Sequence, residues 1–307
     1  MEYNHYTFCT QIFASEYINS VEIVPKRADE NPLSRATVFE SWFYGALCDI
    51  IKNGECEIRK RKTCYNIKSV ERWNVKTVLN LGTFYANAYL VEVSGGWLLV
   101  DTGYSFDYKH FIRAAKRHRI ALPSIRYVVL THVHADHAGF LKRILSDTGA
   151  KLVCLPEERE RLLSGVNEKN VYLPRKSGFL LSRLSAACPR LQTFEPVDIT
   201  DAVDAISQPL AAEGITFFAL HGHTDNDLCF RVEDKLFVGD ICMNGMGSVG
   251  HSPLWIEDNA ALTESWRKIL ATDAEYLYVG HGKPFKKKEL AAFVDKQEKR
   301  KLCKLFK

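Results

Sequence analysis

No apolar run in these 307 residues approaches the roughly 20 needed to cross a bilayer, so no membrane-spanning helix is expected. The opening stretch, MEYNHYTFCTQIF, lacks the basic and apolar regions of a secretion signal, and a cytoplasmic protein is the expectation. The nine cysteines (9, 48, 56, 64, 154, 188, 229, 242 and 303) include no CxxC pair, which argues against a disulfide framework and for reduced thiols. Cys48, Cys56 and Cys64 are evenly spaced, but too far apart for the close cysteine pairs of structural zinc sites. There is no internal repeat of solenoid period and no low-complexity tract. Histidine is scarce too, at ten residues.

Three of those ten fall in one short segment, THVHADHAG (131–139), which sets His132, His134, Asp136 and His137 close together. IRYVVL before it is a β-branched apolar run that reads as a buried strand, and AGFLKRIL after it has helical apolar spacing. The cluster therefore belongs on a strand-to-helix loop, where a rigid scaffold usually mounts its functional groups. Around it the chain divides into three stretches. Residues 1–75 read as an extension rich in polar turns, with one expected helix, TVFESWFYGALCDIIKN, serving as a cap, a dimerisation element or a wall of the site. Residues 76–285 alternate strands (VKTVLNLG, ANAYLVEV, GWLLVDTG, AKLVCL, GITFFALHGH, DLCFRVED, KLFVGDIC, EYLYVGHG) with helices such as NAALTESWRKIL. That texture predicts two sheets with helices packed outside them. Residues 286–307 read as a basic, solvated C-terminal helix that docks Leu290, Phe293 and Val294.

A metal explains the cluster best. Histidines at i and i+2 on an extended loop point to one side, so His132 and His134 can grip one ion while Asp136 and His137 reach a second. Three more candidates lie farther along: His223 in FFALHGHTD, Asp240 in KLFVGDI and His281 in YLYVGHGKP. Each follows an apolar run and stands beside a glycine, as a ligand presented at a sheet edge would.

In that order (HxHxDH, GHT, GD, GHG) the motifs resemble the metallo-β-lactamase superfamily over about residues 76–285. LLVDTG resembles its first motif, with Asp101 beside the metal loop. The resemblance implies an α/β fold, a four-layer αββα sandwich with the site at the edge of two sheets. It implies two divalent ions, zinc first among the candidates. His132, His134 and His223 would hold one, Asp136, His137 and His281 the other, and Asp240 would bridge them. Asp101 and Thr224 would support the ligands from behind. The implied chemistry is hydrolysis of an activated acyl or phosphoryl bond in a small molecule by a hydroxide between the ions, with Asp136 and Asp240 at the reacting centre.

Departures narrow the branch. Flavin-partnered diiron members resemble HxExDH, whereas position 134 here is His. Members that process RNA carry a large insert before the last motif, and only 40 residues separate Asp240 from His281. VGHGKPF is unlike the glyoxalase II setting, which leaves lactonases and small thioesterases. HTDNDL lacks the glycine common two residues after that threonine. Phe84, Asn87, Tyr104, Met243, Asn244, His251 and Trp255 flank the ligand loops and are the candidates to face a substrate. Two other readings stand beside hydrolysis. One is a mononuclear iron oxygenase of the same fold. The other is a nucleic-acid-binding member, whose support is the tail from Lys286, with nine Lys and Arg against three acids. No ligand lies in that tail, so its removal is expected to leave the site intact.

Overall fold

The computed structural model describes residues 57–60, 63–66, 76–83, 85–167, 172–173, 187–200, 202–206, 210–245 and 248–304. Phe84, Cys48, Cys56 and the helix expected over 37–53 lie outside the described residues. The chain separates into two compact units, Met1–Asn74 and Val75–Lys307. In the first, β1 (Glu57–Lys60) pairs antiparallel with β2 (Thr63–Asn66).

The second unit is built on two sheets. The six-stranded one runs in the order β3 (Val78–Asn80), β4 (Tyr89–Val93), β5 (Gly96–Val100), β6 (Ile125–Val129), β7 (Lys151–Cys154), β9 (Val203–Asp204). From β5 onward its strands are parallel. The five-stranded one runs β10 (Ile215–Leu220), β11 (Asp227–Val232), β12 (Lys235–Gly239), β13 (Tyr276–Val279), β14 (Phe285–Lys286), with β12 and β13 parallel.

Both faces of each sheet are covered, which is why these strands read as near-continuous apolar runs. The period of two divides their residues. Tyr89, Val91, Leu98, Val100 and Val129 meet Phe217, Leu228, Phe230 and Phe237 in the layer between the sheets. Phe230 and Phe237 stack there at 4.6 Å, with Tyr278 and Tyr89 against Phe237. Leu90, Leu99 and Val128 face outward beneath α1 (Tyr108–Arg117), α2 (Ala135–Ala138) and α3 (Leu141–Thr148). Leu236 and Val238 face the opposite way, toward α6 (Asn259–Leu270). Two shorter helices, α4 (Arg159–Ser164) and α5 (Pro189–Gln192), precede β9 in the chain. The result is the αββα sandwich the resemblance implied.

The tail differs from expectation. It is two short helices, α7 (Lys287–Ala291) and α8 (Val294–Glu298), followed by β15 (Cys303–Lys304), which pairs with β8 (Tyr172–Leu173). Leu290 and Val294 are buried in the outer core of the second sheet, and Gln297 exchanges hydrogen bonds with Asn259 at the start of α6. The difference from one docked helix lies in the break between α7 and α8 and in the added strand. Among the described residues no helix is long and apolar enough to cross a membrane.

Candidate metal centre

Parallel strands end on one edge, and that edge carries the histidines. β5 runs out into Asp101, β6 into Thr131 and His132, β12 into Asp240 and β13 into His281, while His223 sits in the β10–β11 turn. Open α/β sheets bind ligands at such carboxyl ends. Hydrogen bonds hold the two sheets together there: Leu228 N–H donates to the Thr131 carbonyl (2.6 Å) and Asn87 N–H to the Gly280 carbonyl (2.8 Å). Gly280 has to be glycine, because a Cβ there would collide with the Asp240 carboxylate and the His137 ring.

The edge brings together all seven residues singled out from the sequence. Nε2 of His132, Nδ1 of His134 and Nε2 of His223 lie 3.1, 3.1 and 3.2 Å from one another, on rings within two degrees of mutually perpendicular. A tetrahedral ion with bonds of 2.0–2.1 Å sets its ligands about 3.3 Å apart. Beside this set, His281 Nε2 is 3.4 Å from His137 Nε2 and 3.3 Å from Asp136 Oδ2. Asp240 stands between, its Oδ2 3.0 Å from His281 Nε2 and 3.8 Å from His223 Nε2. All but Asp136 are buried.

The protons decide what this cluster fits. His223 Nδ1–H donates to the Trp255 carbonyl (2.8 Å), and His281 Nδ1–H to the Tyr85 carbonyl. His137 Nδ1–H donates to Asp101 (3.0 Å). The Thr131 hydroxyl donates to Asp101 (2.7 Å), so it must accept from His132 Nδ1–H (3.0 Å). A neutral imidazole has one N–H, and here each of the four is spent facing outward. Between His132 Nε2 and His223 Nε2, 3.1 Å apart, two lone pairs therefore face each other with no proton between them. Asp240 Oδ1 is buried with no hydrogen-bond partner at all. Such a donor set fits cations, and the outward bonds are what fixes the tautomers of metal-binding histidines.

Electrostatics agree. Burial holds His132 below the usual histidine range and pushes His223 down to about 4, so both are neutral and able to ligate. Around His281 burial works against charge, but the carboxylates of Asp240 and Asp136 outweigh it and raise that ring to about 10. The second set calls for positive charge, which a proton or a metal ion can supply.

The sequence profile of the metallo-β-lactamase superfamily matches residues 81–281. The chain belongs to that superfamily. This member is 25% identical to the probable metallo-hydrolase YflN of Bacillus subtilis over 68% of its own chain and 85% of the relative. It is also 25% identical to a lactamase-like protein of Pestalotiopsis microspora over 64% of its own chain, but spans only 49% of that relative. Among solved structures it is similar to a HARLDQ-motif mutant of a metallo-β-lactamase from Cronobacter sakazakii (TM-score 0.53, 18% identity, 72% of this chain and 90% of that one). It is similar also to BJP-1, a subclass B3 metallo-β-lactamase of Bradyrhizobium japonicum (TM-score 0.50, 20% identity, 73% and 88%). At these identities the likeness is one of fold.

Asp101 adopts a left-handed backbone (φ 56°) that aims its carboxylate at Thr131 and His137 at once. Thr224 is buried and donates through its hydroxyl and its N–H to Asp227 (3.0 Å each), closing the turn where glycine is lacking. Of the expected substrate-facing residues, Trp255 sets its ring edge-on to His134 (5.8 Å) and its carbonyl on His223. Burial, with the Asp136 and Asp240 carboxylates behind it, raises the Tyr104 hydroxyl above the usual tyrosine range. Four others are occupied elsewhere. Asn87 is buried, with Nδ2 donating to the Val279 and Gly282 carbonyls. Met243 is in the core, and His251 stacks on Phe285 at 4.0 Å. Asn244 hydrogen-bonds the backbone at Lys283. Sequence reasoning missed Thr131, which its place beside His132 could have flagged. It also missed Asn167, whose Oδ1 accepts from Ala135 N–H at the start of α2. The Tyr85 and Trp255 carbonyls carry no side-chain signal.

Proposed function

We propose that this chain is a hydrolase that holds two divalent metal ions, zinc first among the candidates, and cleaves an activated acyl or phosphoryl bond of a small molecule. The imidazole nitrogens and carboxylates converging in two adjacent sets carry the reading, with a relative named as a metallo-hydrolase beside them. His132, His134 and His223 hold one ion, Asp136, His137 and His281 the other, and Asp240 faces both. Two bound divalent ions supply an activated water at neutral pH and positive charge for the oxygen that develops negative charge. The chain's own residues do the rest. Asp101 and Thr131 keep His132 and His137 in the ligating tautomer, and the Trp255 and Tyr85 carbonyls do so for His223 and His281. Asp136, with 19% of its side chain exposed, is the ligand nearest solvent and is assigned to moving a proton to or from the substrate.

Asp240→Asn tests this. Asn keeps the shape but loses the charge and one ligating oxygen, so the second ion should weaken most. Loss of a supporting partner alone typically costs about 10- to 100-fold, and loss of a ligand costs more. Bound metal and hydrolysis of a panel of lactones, thioesters, β-lactams and phosphodiesters are measured together. Wild-type metal content and wild-type rates in the variant would sink the dinuclear reading. A single iron in the native protein would favour the oxygenase instead.

A further inference from the structure

We propose that the outer face of α1 is a docking surface for the sugar-phosphate backbone of a nucleic-acid duplex, separate from the metal centre. From Tyr108 to Ala135 the chain carries six cations (Lys109, Arg113, Lys116, Arg117, Arg119 and Arg126) and no Asp or Glu. That run exceeds the net charge of +4 on the whole chain. The inference stands on charge and exposure and does not depend on the hydrolase reading.

The helix sorts its residues by face. Tyr108, Phe111, Ala114 and Ala115 are buried against the outer side of the first sheet. Lys109, Arg113, Lys116 and Arg117, spaced i, i+4, i+7 and i+8, share the opposite face and are exposed. Arg119 follows just past the helix end, and Arg126 is exposed on β6. Among the described residues none of the six forms an ion pair or a side-chain hydrogen bond. Ordinary surface helices mix their charges, as neighbouring α3 does: Lys142 pairs with Glu195 (2.8 Å) and Arg143 with Asp147 (4.0 Å). In the C-terminal tail cations are likewise engaged. Lys286 pairs with Glu275 (3.3 Å), Lys287 Nζ donates to the Leu270 carbonyl (3.0 Å), and Arg300 donates to the Val249 carbonyl (3.0 Å). The unmatched charge therefore lies on α1.

Charge without apolar surface selects the partner. A helix that lies in a membrane keeps an apolar face for the lipid, and the apolar face of α1 is already in the core. A protein interface is held by a buried apolar or aromatic centre. The exposed residues from Lys109 to Arg119 include no aliphatic side chain and no Phe, Tyr or Trp. A phosphate backbone needs neither, because neutralising phosphates and releasing their counterions supplies essentially all of non-specific binding. The arginine fork also matches phosphate oxygens two at a time. A single strand would want aromatic rings for its bases to stack on, so the duplex is the form that fits.

The probe is a fluorescein-labelled DNA duplex of mixed sequence, read by polarisation with the full chain over a series of salt concentrations. With the four cations of the helix on phosphates, log affinity should fall against log salt with a slope of about −3.6. That is a loss of roughly 150-fold between about 50 and 200 mM salt. Arg113→Gln with Arg117→Gln should halve the slope to about −1.8, a loss of roughly 12-fold over the same range. Both side chains are exposed, so bound metal and melting temperature should not move. Lys288→Gln with Lys299→Gln, exposed cations of the tail, should leave the slope at its native value. Absence of salt-dependent binding by the native chain overturns the proposal. So does a slope unmoved by the α1 pair, or lowered as far by the tail pair. Sedimentation with phosphatidylserine vesicles by a chain that leaves the duplex free would assign the face to a membrane and overturn it as well.

Discussion

At the scale of single residues, the site is governed by where protons point. Asn87 shows how far that control extends beyond the ligands. Its Nδ2 donates to Val279 (2.7 Å) and Gly282 (2.8 Å), its N–H to Gly280 (2.8 Å), and its Oδ1 accepts from Asn80 (2.7 Å). These bonds grip the backbone on both sides of His281. Asn87→Asp would turn an acceptor toward two carbonyls, so a stability loss of about 1–3 kcal/mol is expected from the buried mismatch. The second ion should weaken by about 10- to 100-fold, as supporting partners do, and the first should hold. A two-step metal titration read beside chemical denaturation checks this. Equal weakening of both steps would reduce Asn87 to a general stabiliser. Asn87 drew notice in the sequence because it stands near the site, but its role was not readable there. A clamp on a distant backbone leaves no trace in local spacing.

At the scale of elements, the tail carries the clearest revision. Leu290 and Val294 pack on the outer core of the second sheet, but on two short helices and a strand rather than one helix. Two buried aliphatic side chains contribute up to about 3–6 kcal/mol together, against a typical total of 5–15 kcal/mol. Arg300 also donates to the Val249 carbonyl (3.0 Å), and Gln297 is fully buried. Deleting residues 287–307 should therefore lower the thermal midpoint sharply or leave the chain unable to fold, although no ligand is removed. A truncated protein melting with the full chain would show that these contacts stabilise nothing. The strands were legible because both of their faces are covered, so runs such as LCFRV and KLFVG are apolar almost throughout. The break between α7 and α8 was not, because it depends on what Phe293 and Val294 pack against.

At the scale of the molecule, the seven groups are shared between the sheets. His132, His134, Asp136 and His137 follow β6 of the first; His223, Asp240 and His281 belong to loops of the second. Ions held between them would tie the two layers. Binding at about 1,000 times the dissociation constant contributes ~4 kcal/mol, and 1 kcal/mol moves the midpoint of a domain this size by roughly 2–4 °C. Chelation should then lower the melting temperature by about 8–16 °C, and zinc added back should restore it. A midpoint indifferent to chelator would mean that the cluster does not bridge the sheets through metal.

By itself, the sequence determined the strands, the order of the ligand motifs and the superfamily, because those depend on local alternation and on short spacings along the chain. Only the tertiary structure decided which atoms face inward. The tautomers of three of the histidines are set by partners remote in the chain: Asp101 for His137, the Trp255 carbonyl for His223, the Tyr85 carbonyl for His281. The same holds for Asn87, drawn into the backbone around His281, and for Gly103, packed on Gly139 at the end of α2. Each contact joins segments that only the closed sandwich brings together, and hydrogen bonds of this kind depend on distance in space, which spacing along the chain does not encode.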